Sequence, residues 1–143
     1  MHLKKMGNCY KAQEASFKSR EYALAKDREG WLSLFAEDAL VMDPVGISPL
    51  DPTGLGHKGK EAIGAFYDMI IAHADMEFVI ETSIPAGDEC ANLIDLSNRM
   101  GDMVLKNKMI VVYTANDEGK IISLKAYWEY SKLQAQMDEQ SAD

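Results

Sequence analysis

The sequence contains little cysteine, and its two cysteines, Cys9 and Cys90, lie far apart. Small domains that lack a large core depend on several disulfides, and structural metal sites need closely spaced Cys or His ligands. Two distant cysteines fit neither pattern. We therefore predict two free thiols, no metal site and no cofactor.

Basic residues are fewer than acidic ones. The chain has 15 Lys and Arg against 23 Asp and Glu, which gives a formal net charge of −8 and a pI near 4.8. Binding to phosphate groups requires clustered positive charge. Nucleic acids and anionic membrane surfaces are therefore disfavoured as partners.

Long hydrophobic runs are also missing. A membrane span needs about 20 consecutive apolar residues, and no such run follows Lys4 and Lys5. We expect a cytoplasmic protein. Its 143 residues, 47% hydrophobic and 27% charged, are typical of one globular domain, for which we predict flexible ends over residues 1–9 and 132–143.

The first half of the chain shows helical patterns. Small residues at helical spacing predict a first helix from Tyr10 to Lys26, and Asp27 can cap a second, shorter helix that ends at Phe35. A third helix is predicted from Lys60 by an apolar stripe of period 3.6. The stripe consists of Ile63, Phe66, Tyr67, Ile70 and Ile71.

Asp43 stands out between the second and third helices. It follows a short run of strand-forming residues, and Pro44 disfavours helical dihedrals at the preceding residue. Asp43 is therefore either a surface-turn residue that bonds to nearby backbone or a general base directed into a pocket. The Pro- and Gly-rich segment Gly46 to Gly59 that follows is predicted to be a long loop bordering a site.

The second half of the chain has the period of β-strands. Four strands are predicted, separated by turn sequences short enough for an antiparallel meander. The predicted strands are Met76 to Ile84, Glu89 to Met100, Met103 to Thr114 and Lys120 to Tyr130.

The third of these strands is apolar on both faces. Met109, Val111 and Tyr113 share one face, while Ile110 and Val112 lie on the other. Helices can cover one face of the sheet, and the other needs a different partner. A homodimer formed through this outer face is the simplest explanation.

Helices followed by long antiparallel strands predict an α+β fold. We expect a conical barrel in which a curved, mostly antiparallel sheet wraps around three N-terminal helices and leaves a cavity between the two layers. Asp43 would lie at that cavity if its strand joins the sheet.

Several segments carry a family resemblance. They are FAEDALVMDPVG, KDREGWLSLFAED, the DPTGLG loop, GHKGKEAIGAFYD and KAYWEY. In this order they resemble the ketosteroid isomerase branch of the nuclear transport factor 2 superfamily, including mycobacterial steroid-binding, isomerase-like proteins. The resemblance implies the conical fold, a homodimer and a deep pocket for a flat hydrophobic ligand.

The chemistry that the resemblance implies is proton transfer between carbons next to a ketone. An Asp base acts there together with an oxyanion hole made by a Tyr and a protonated Asp. This family is a standard example of a carboxylic acid that its apolar surroundings keep protonated. By position, Asp43 matches the base, Tyr67 the supporting tyrosine and Trp128 a wall aromatic. Ser19 and Val111 occupy the positions of the two oxyanion donors, which suggests Tyr22, Asn92 or Asn107 as substitutes.

The sequence therefore predicts two groups of site residues. The catalytic candidates are Asp43, Tyr22 and Tyr67. The predicted ligand-binding residues are Ser19, Phe35, Phe66, Ile71, Asn92, Ile94, Leu96, Asn107, Met109, Val111, Leu124 and Trp128.

Three functions stay open at this point. The first is isomerisation of a steroid-like ketone, and the second is non-catalytic binding of a steroid or another hydrophobic small molecule. The third is the chemistry of a polyketide cyclase or epoxide hydrolase. An epoxide hydrolase would need an Asp-Arg-Asp group, for which Arg99 with Asp95 or Asp102 is the only local material.

Overall fold

A computed structural model describes residues 7–141 of the chain. Residues 1–6 and 142–143, which include the outermost parts of both predicted flexible ends, lie outside the described residues. The helices are α1 (Cys9–Ala25), α2 (Arg28–Ser33), α3 (Gly59–Met69) and α4 (Tyr130–Ser141), with a 3₁₀ turn at Ile71–His73. The strands are β1 (Phe35–Met42), β2 (His57–Lys58), β3 (Met76–Ala86), β4 (Glu89–Met100), β5 (Met103–Ala115) and β6 (Ile121–Tyr127).

The α+β class and the meander are confirmed. The six strands form one sheet in the order β2-β1-β6-β5-β4-β3, in which β3 to β6 pair antiparallel in succession. The sheet is mixed, because β1 pairs parallel to β6. It is also open, so the predicted closed barrel is wrong: β2 and β3 end the sheet as separate edges.

Helix α1 lies against the concave face of the sheet. Its inward side carries only small residues, Ala12, Ala15, Ser16, Ser19 and Ala23, all of them buried. Small side chains let the helix axis approach the strands closely. The inward side of this helix carries no large apolar side chain that could fill the space further along the sheet.

The first strand begins earlier than predicted. Phe35, expected at the end of the second helix, is the first residue of β1 and pairs with Ile121 of β6. Helix α2 is short and ends at Ser33. Asp27 caps its N-terminus by accepting a hydrogen bond from the Gly30 backbone N–H at 2.9 Å. Strand β1 runs parallel to β6 as far as Met42, and Asp43 follows directly after it.

The loop between β1 and α3 is organised by one buried carboxylate. Asp51 is 6% exposed and accepts hydrogen bonds from the backbone of Gly56 at 2.8 Å and from the hydroxyl of Thr53 at 3.2 Å. Gly56 has a φ of +85° and passes so close to β1 that an added Cβ would come within 2.7 Å of Leu40. Only glycine fits there, which holds the loop against the strand that leads to Asp43.

The C-terminal segment is a helix, which corrects the prediction that residues 132–143 are flexible. Two glutamines of α4 bind the backbone of β5 through their amide groups. Gln136 bonds to the N–H and C=O of Lys106 at 2.8 and 2.6 Å, and Gln140 bonds to those of Val104 at 2.9 and 2.8 Å. The amides thus replace a neighbouring strand beyond the point where β6 ends.

None of the helices within residues 7–141 is long and apolar enough to cross a membrane.

Candidate functional site

A cavity of about 330 Å³ lies between the concave sheet, α1 and α3. This volume is at the lower end of the range for small-molecule sites, and most of the wall is apolar. Eleven of the residues predicted from sequence line it. They are Ser19, Asp43, Phe66, Ile71, Ile94, Leu96, Asn107, Met109, Val111, Leu124 and Trp128.

Strand β5 runs from the inner end of the cavity to its rim. Tyr113, 3% exposed, lies at the inner end, and Met100, 51% exposed, lies at the rim. The cavity residues Tyr113 and Leu105 are eight positions apart, which corresponds to about 27 Å of extended strand. The cavity therefore extends lengthwise along β5.

Asp43 lies on the wall of this cavity, held by a tryptophan. The indole Nε1 of Trp128 donates a hydrogen bond of 2.6 Å to Asp43 Oδ1. No other described residue forms a hydrogen bond with the carboxylate, so Oδ2 is free to face a ligand. The surface-turn interpretation of Asp43 is wrong, since the side chain takes part in no local turn.

The environment of Asp43 favours its protonated form. Burial raises the pKa of the Asp43 carboxyl above its ordinary value, while the Trp128 hydrogen bond and the electrostatic effect of nearby His57 lower it in part. Among the described residues that line the cavity, Asp43 is the only carboxylate. A carboxylate with a raised pKa is a stronger proton acceptor when ionised.

A second polar group occupies the inner end. The indole Nε1 of Trp31 donates a hydrogen bond of 3.0 Å to Ser19 Oγ, and Ser19 lies near the phenol of Tyr113, whose pKa it lowers in part. All three residues line the cavity. The sequence places Tyr113 on the inner face of its strand but gives no sign of its partner, because the three residues are far apart in the chain.

Two predicted donors lie outside the cavity. Asn92 is fully buried below α1, where it donates to Ser16 Oγ at 2.9 Å and accepts from the Cys90 thiol at 3.2 Å. The ring of Tyr22 packs against Gly30 in the corner between α1 and α2. Both residues have structural surroundings that keep them from a ligand.

Two further predicted residues belong to the core behind the cavity wall. Phe35 and Tyr67 are 1% and 2% exposed, and their rings pack on Trp31 with centroids 4.6 and 5.5 Å away. The Tyr67 hydroxyl has no hydrogen-bond partner among the described residues. Burial raises the Tyr67 pKa, so the hydroxyl stays neutral.

His57 lies near Asp43, on whose pKa its electrostatic effect acts. It pairs with Val41 in the sheet, and its ring packs on Phe66 at 5.1 Å. Its Nε2 is buried without a partner among the described residues. No local sequence pattern predicts the pairing of His57 with Val41, because it depends on where the loop lies in three dimensions.

Helix α4 forms part of the rim. Tyr130, Leu133 and Met137 line the cavity from this helix, and Tyr130 packs on Trp128 with ring centroids 6.1 Å apart. Leu133 and Met137 are four residues apart, and this spacing is a signal in the polar tail from which a helix with one apolar side could have been predicted.

The material for epoxide hydrolysis is not in the cavity. Asp95 and Arg99 are exposed side chains on the opposite face of β4 from the cavity residues Ile94 and Leu96. Within residues 7–141, no group of three or more His, Cys, Asp or Glu side chains could hold a metal ion.

Comparison with known families gives one match, which covers residues 20–124 and has the description SnoaL-like domain. This range contains the helices α2 and α3, the strands β1 to β5 and the cavity residues Trp31, Asp43 and Tyr113, but not Ser19 or Trp128. No curated protein matches the chain.

Solved structures match over nearly the whole chain. Rv0760c from Mycobacterium tuberculosis is 34% identical, with a TM-score of 0.82 over 90% of this chain and 97% of that one. A structure of Rv0760c in complex with estradiol-17β-hemisuccinate matches at 35% identity and a TM-score of 0.80, over 85% and 96% of the two chains. The Δ5-3-ketosteroid isomerase from a Mycobacterium species is 32% identical, with a TM-score of 0.79 over 85% and 95%.

Proposed function

Because the chain belongs to the family of SnoaL-like domains, we propose that its cavity binds a flat, hydrophobic, steroid-like ketone and that Asp43 transfers a proton within it. The reaction is isomerisation. The Asp43 carboxylate takes a proton from the carbon next to the carbonyl, an enolate forms, and the same proton returns to another carbon of the conjugated system. No atom is gained or lost.

The position of Asp43 is the observation that carries this proposal. Its free Oδ2 faces an apolar cavity that contains no second described carboxylate, and Trp128 fixes the other oxygen. A carboxylate at the wall of an apolar cavity loses solvation, which reduces stability and therefore indicates a chemical role. The matching ketosteroid isomerase and the steroid complex of Rv0760c support a ligand of steroid size.

Replacement of the base tests the proposal. Asp43→Asn keeps the shape and the acceptor for Trp128 but removes the basic group, so isomerisation of a β,γ-unsaturated ketosteroid should fall by about 10²- to 10⁴-fold. The appearance of the conjugated enone in the ultraviolet measures this rate. Affinity for the ketone, measured by calorimetry, should stay within a few-fold of wild type.

Asp38→Asn is the matched control, because Asp38 is an exposed carboxylate on β1, the strand that ends just before Asp43. It should turn over the substrate at the wild-type rate. An Asp43→Asn variant as active as wild type would place the proton transfer at another residue.

A non-catalytic binding protein is the second candidate, favoured by Ser19 and Val111. Neither can serve as the Tyr or Asp donor that the resemblance implies at those positions, and Val111 offers no hydrogen bond at all. In this case the wild-type protein would bind the ketosteroid but show no turnover above buffer.

We also propose a homodimer through the convex face of the sheet. That face exposes Val79, Ile84, Ile110 and Tyr127, with exposed fractions between 48% and 59%. Paired strands place Leu93 next to Ile110 and Ile110 next to Tyr127, so the residues form a continuous apolar surface that a second copy can cover.

Sedimentation of wild type and Ile110→Arg tests the dimer. The buried arginine should shift the protein towards monomer, whereas Ile47→Arg, at an isoleucine that is 78% exposed in the loop, should not. A monomeric wild type at micromolar concentration would contradict the proposal.

A further inference from the structure

Two asparagines in the cavity wall have no part in proton transfer by Asp43. Asn98 on β4 and Asn107 on β5 are half-buried and are the only amide side chains among the described residues that line the cavity. The neighbours of Asn107 on the same face of β5 are Leu105 and Met109, both buried and both lining the cavity. The amides therefore interrupt a wall that is otherwise apolar.

The strand register brings the two amides together. Leu96 pairs with Asn107, and Asn98 pairs with Leu105. Asn98 and Asn107 are therefore diagonal neighbours on the concave face, and diagonal neighbours in an antiparallel pair lie about 7–8 Å apart. Since each hydrogen bond spans about 2.8–3.0 Å, one oxygen atom placed between the two side chains can bond to both.

The hydrogen-bonding capacity of these amides is largely unused. Asn98 Oδ1 accepts from the backbone N–H of Asp75 at 2.9 Å, which fixes the amide and leaves its Nδ2 to donate elsewhere. Within residues 7–141, neither Asn98 Nδ2 nor the side chain of Asn107 has a hydrogen-bond partner. Polar groups that leave water are normally paired, so two unpaired amides facing a cavity indicate a polar group on its ligand.

The amides lie at a distance from the base. Trp128, which donates to Asp43, comes directly after β6. The last residue of β6, Tyr127, pairs with Ile110 of β5. Asn107 is three residues from Ile110, or about 10 Å along an extended strand. The amides therefore contact a part of the ligand other than the carbons between which Asp43 moves a proton.

We propose that Asn98 and Asn107 form a second polar subsite, which binds a hydroxyl group at the end of the ligand opposite its reacting ketone. Asn98 Nδ2 donates to the hydroxyl oxygen, and Asn107 Oδ1 accepts the hydroxyl hydrogen. The group is uncharged, because no Lys or Arg is among the described residues that line the cavity. The proposal rests on the proposed function for the hydrophobic ketone, and it narrows the ligand class to hydroxyketones.

The test compares two ligands in the full chain. Testosterone carries a hydroxyl at the end opposite its conjugated ketone, and androst-4-en-3-one is the same skeleton without that hydroxyl. Both are already conjugated, so calorimetry measures their binding without turnover. Wild type should bind testosterone about 10-fold more tightly, and Asn98→Leu and Asn107→Leu should each reduce this preference by about 3- to 10-fold, since each removes one hydrogen bond.

Met109→Leu is the matched control, because it changes the wall beside Asn107 without removing a hydrogen-bonding group. Its affinity for the two ketones should change in parallel, so that the preference stays at the wild-type value. As a direct readout, the NMR resonances of the Asn98 and Asn107 side-chain amides should differ between the two complexes of the wild-type protein.

Three results would overturn the subsite: a wild type without the preference, a preference that persists in both asparagine variants, or a wild type that binds neither ketone. A wild type that shows the preference but does not isomerise a β,γ-unsaturated ketosteroid would support the subsite and contradict proton transfer by Asp43. Failure of the subsite and failure of the proposed function are therefore told apart.

Discussion

The two ends of the cavity are built in different ways. At the inner end, Trp31, Ser19 and Tyr113 are buried, and side-chain hydrogen bonds fix polar atoms within a packed core. At the rim, α4 contributes no buried residue and is attached by the exposed amides of Gln136 and Gln140. Hydrogen bonds buried in a packed core break only when the protein unfolds, whereas exposed hydrogen bonds can break by local opening. The inner end therefore suits chemistry, and the rim suits passage of a ligand.

Among the substitutions that test the difference between the two ends of the cavity, Trp128→Phe is expected to have the largest effect. A hydrogen bond to a charged group contributes about 1.5–3 kcal/mol, so its loss should raise the Asp43 pKa further above its ordinary value. Less of the base is then ionised at a given acidic pH. The acid limb of kcat/KM should move to higher pH, with rates on that limb about 10- to 100-fold lower.

A full pH profile of kcat/KM measures this shift. Phe66→Leu is a useful comparison, because it alters an equally apolar wall without touching the carboxylate and should leave the limb in place. An unmoved limb in Trp128→Phe would mean that the indole does not control the acidity of Asp43.

An intermediate effect is expected at the rim from the double substitution Leu133→Ala with Met137→Ala. It removes apolar surface that faces the ligand, which should cost about 1–2 kcal/mol of binding, or roughly 5- to 30-fold in Kd. Turnover at saturating ketone should not change, since the inner end is intact. Titration calorimetry checks the affinity, and Lys132→Ala on the exposed side of α4 serves as the control.

A smaller effect is expected when the attachment of α4 is removed. Gln136→Ala with Gln140→Ala leaves the N–H groups of Val104 and Lys106 without partners, so their amide hydrogen exchange should become faster, and ligand dissociation should become a few-fold faster. Gln134→Ala is the matched control, since Gln134 bonds only to Asp138 on the same helix. Equal exchange in both variants would show that α4 is held by its apolar side alone.

The smallest effect concerns stability. The pKa of Asp43 is raised in the folded protein, so the folded state binds this proton more tightly than the unfolded state does. Stability is then lost as pH rises from the ordinary Asp value through the raised one. Asp43→Asn should lack this loss and be modestly more stable at neutral pH.

Urea unfolding of wild type and Asp43→Asn at a series of pH values checks this sign. The difference between the two proteins should grow across the acidic range and then stay constant. Parallel curves would mean that the carboxyl has the same pKa in the folded and unfolded states.

Sequence periodicity predicted the parts of the molecule that repeat. The strands of the meander lie within a few residues of their predicted bounds, because alternation at Ile94 and Leu96 or at Met109 and Val111 is a direct record of one buried face. Asp43 and Trp128 were placed at the cavity because each is adjacent to such a strand.

The rest depends on contacts between distant residues, which no local pattern records. Trp31 donates to Ser19 beside Tyr113, and the three residues belong to three different elements. Helix α4 was missed for another reason: two of its polar residues, Gln136 and Gln140, bond to the edge of a strand. Polarity in a sequence does not distinguish the two uses.

The way α4 is attached has a consequence for how this cavity could diversify. Gln136 and Gln140 recognise only backbone N–H and C=O groups of β5, which are the same whatever side chains that strand carries. Leu133 and Met137 can therefore be exchanged for larger, smaller or polar residues without changing how the helix docks. Substitutions at these rim positions, in evolution or by design, can therefore change which ligand the cavity admits without changing Asp43.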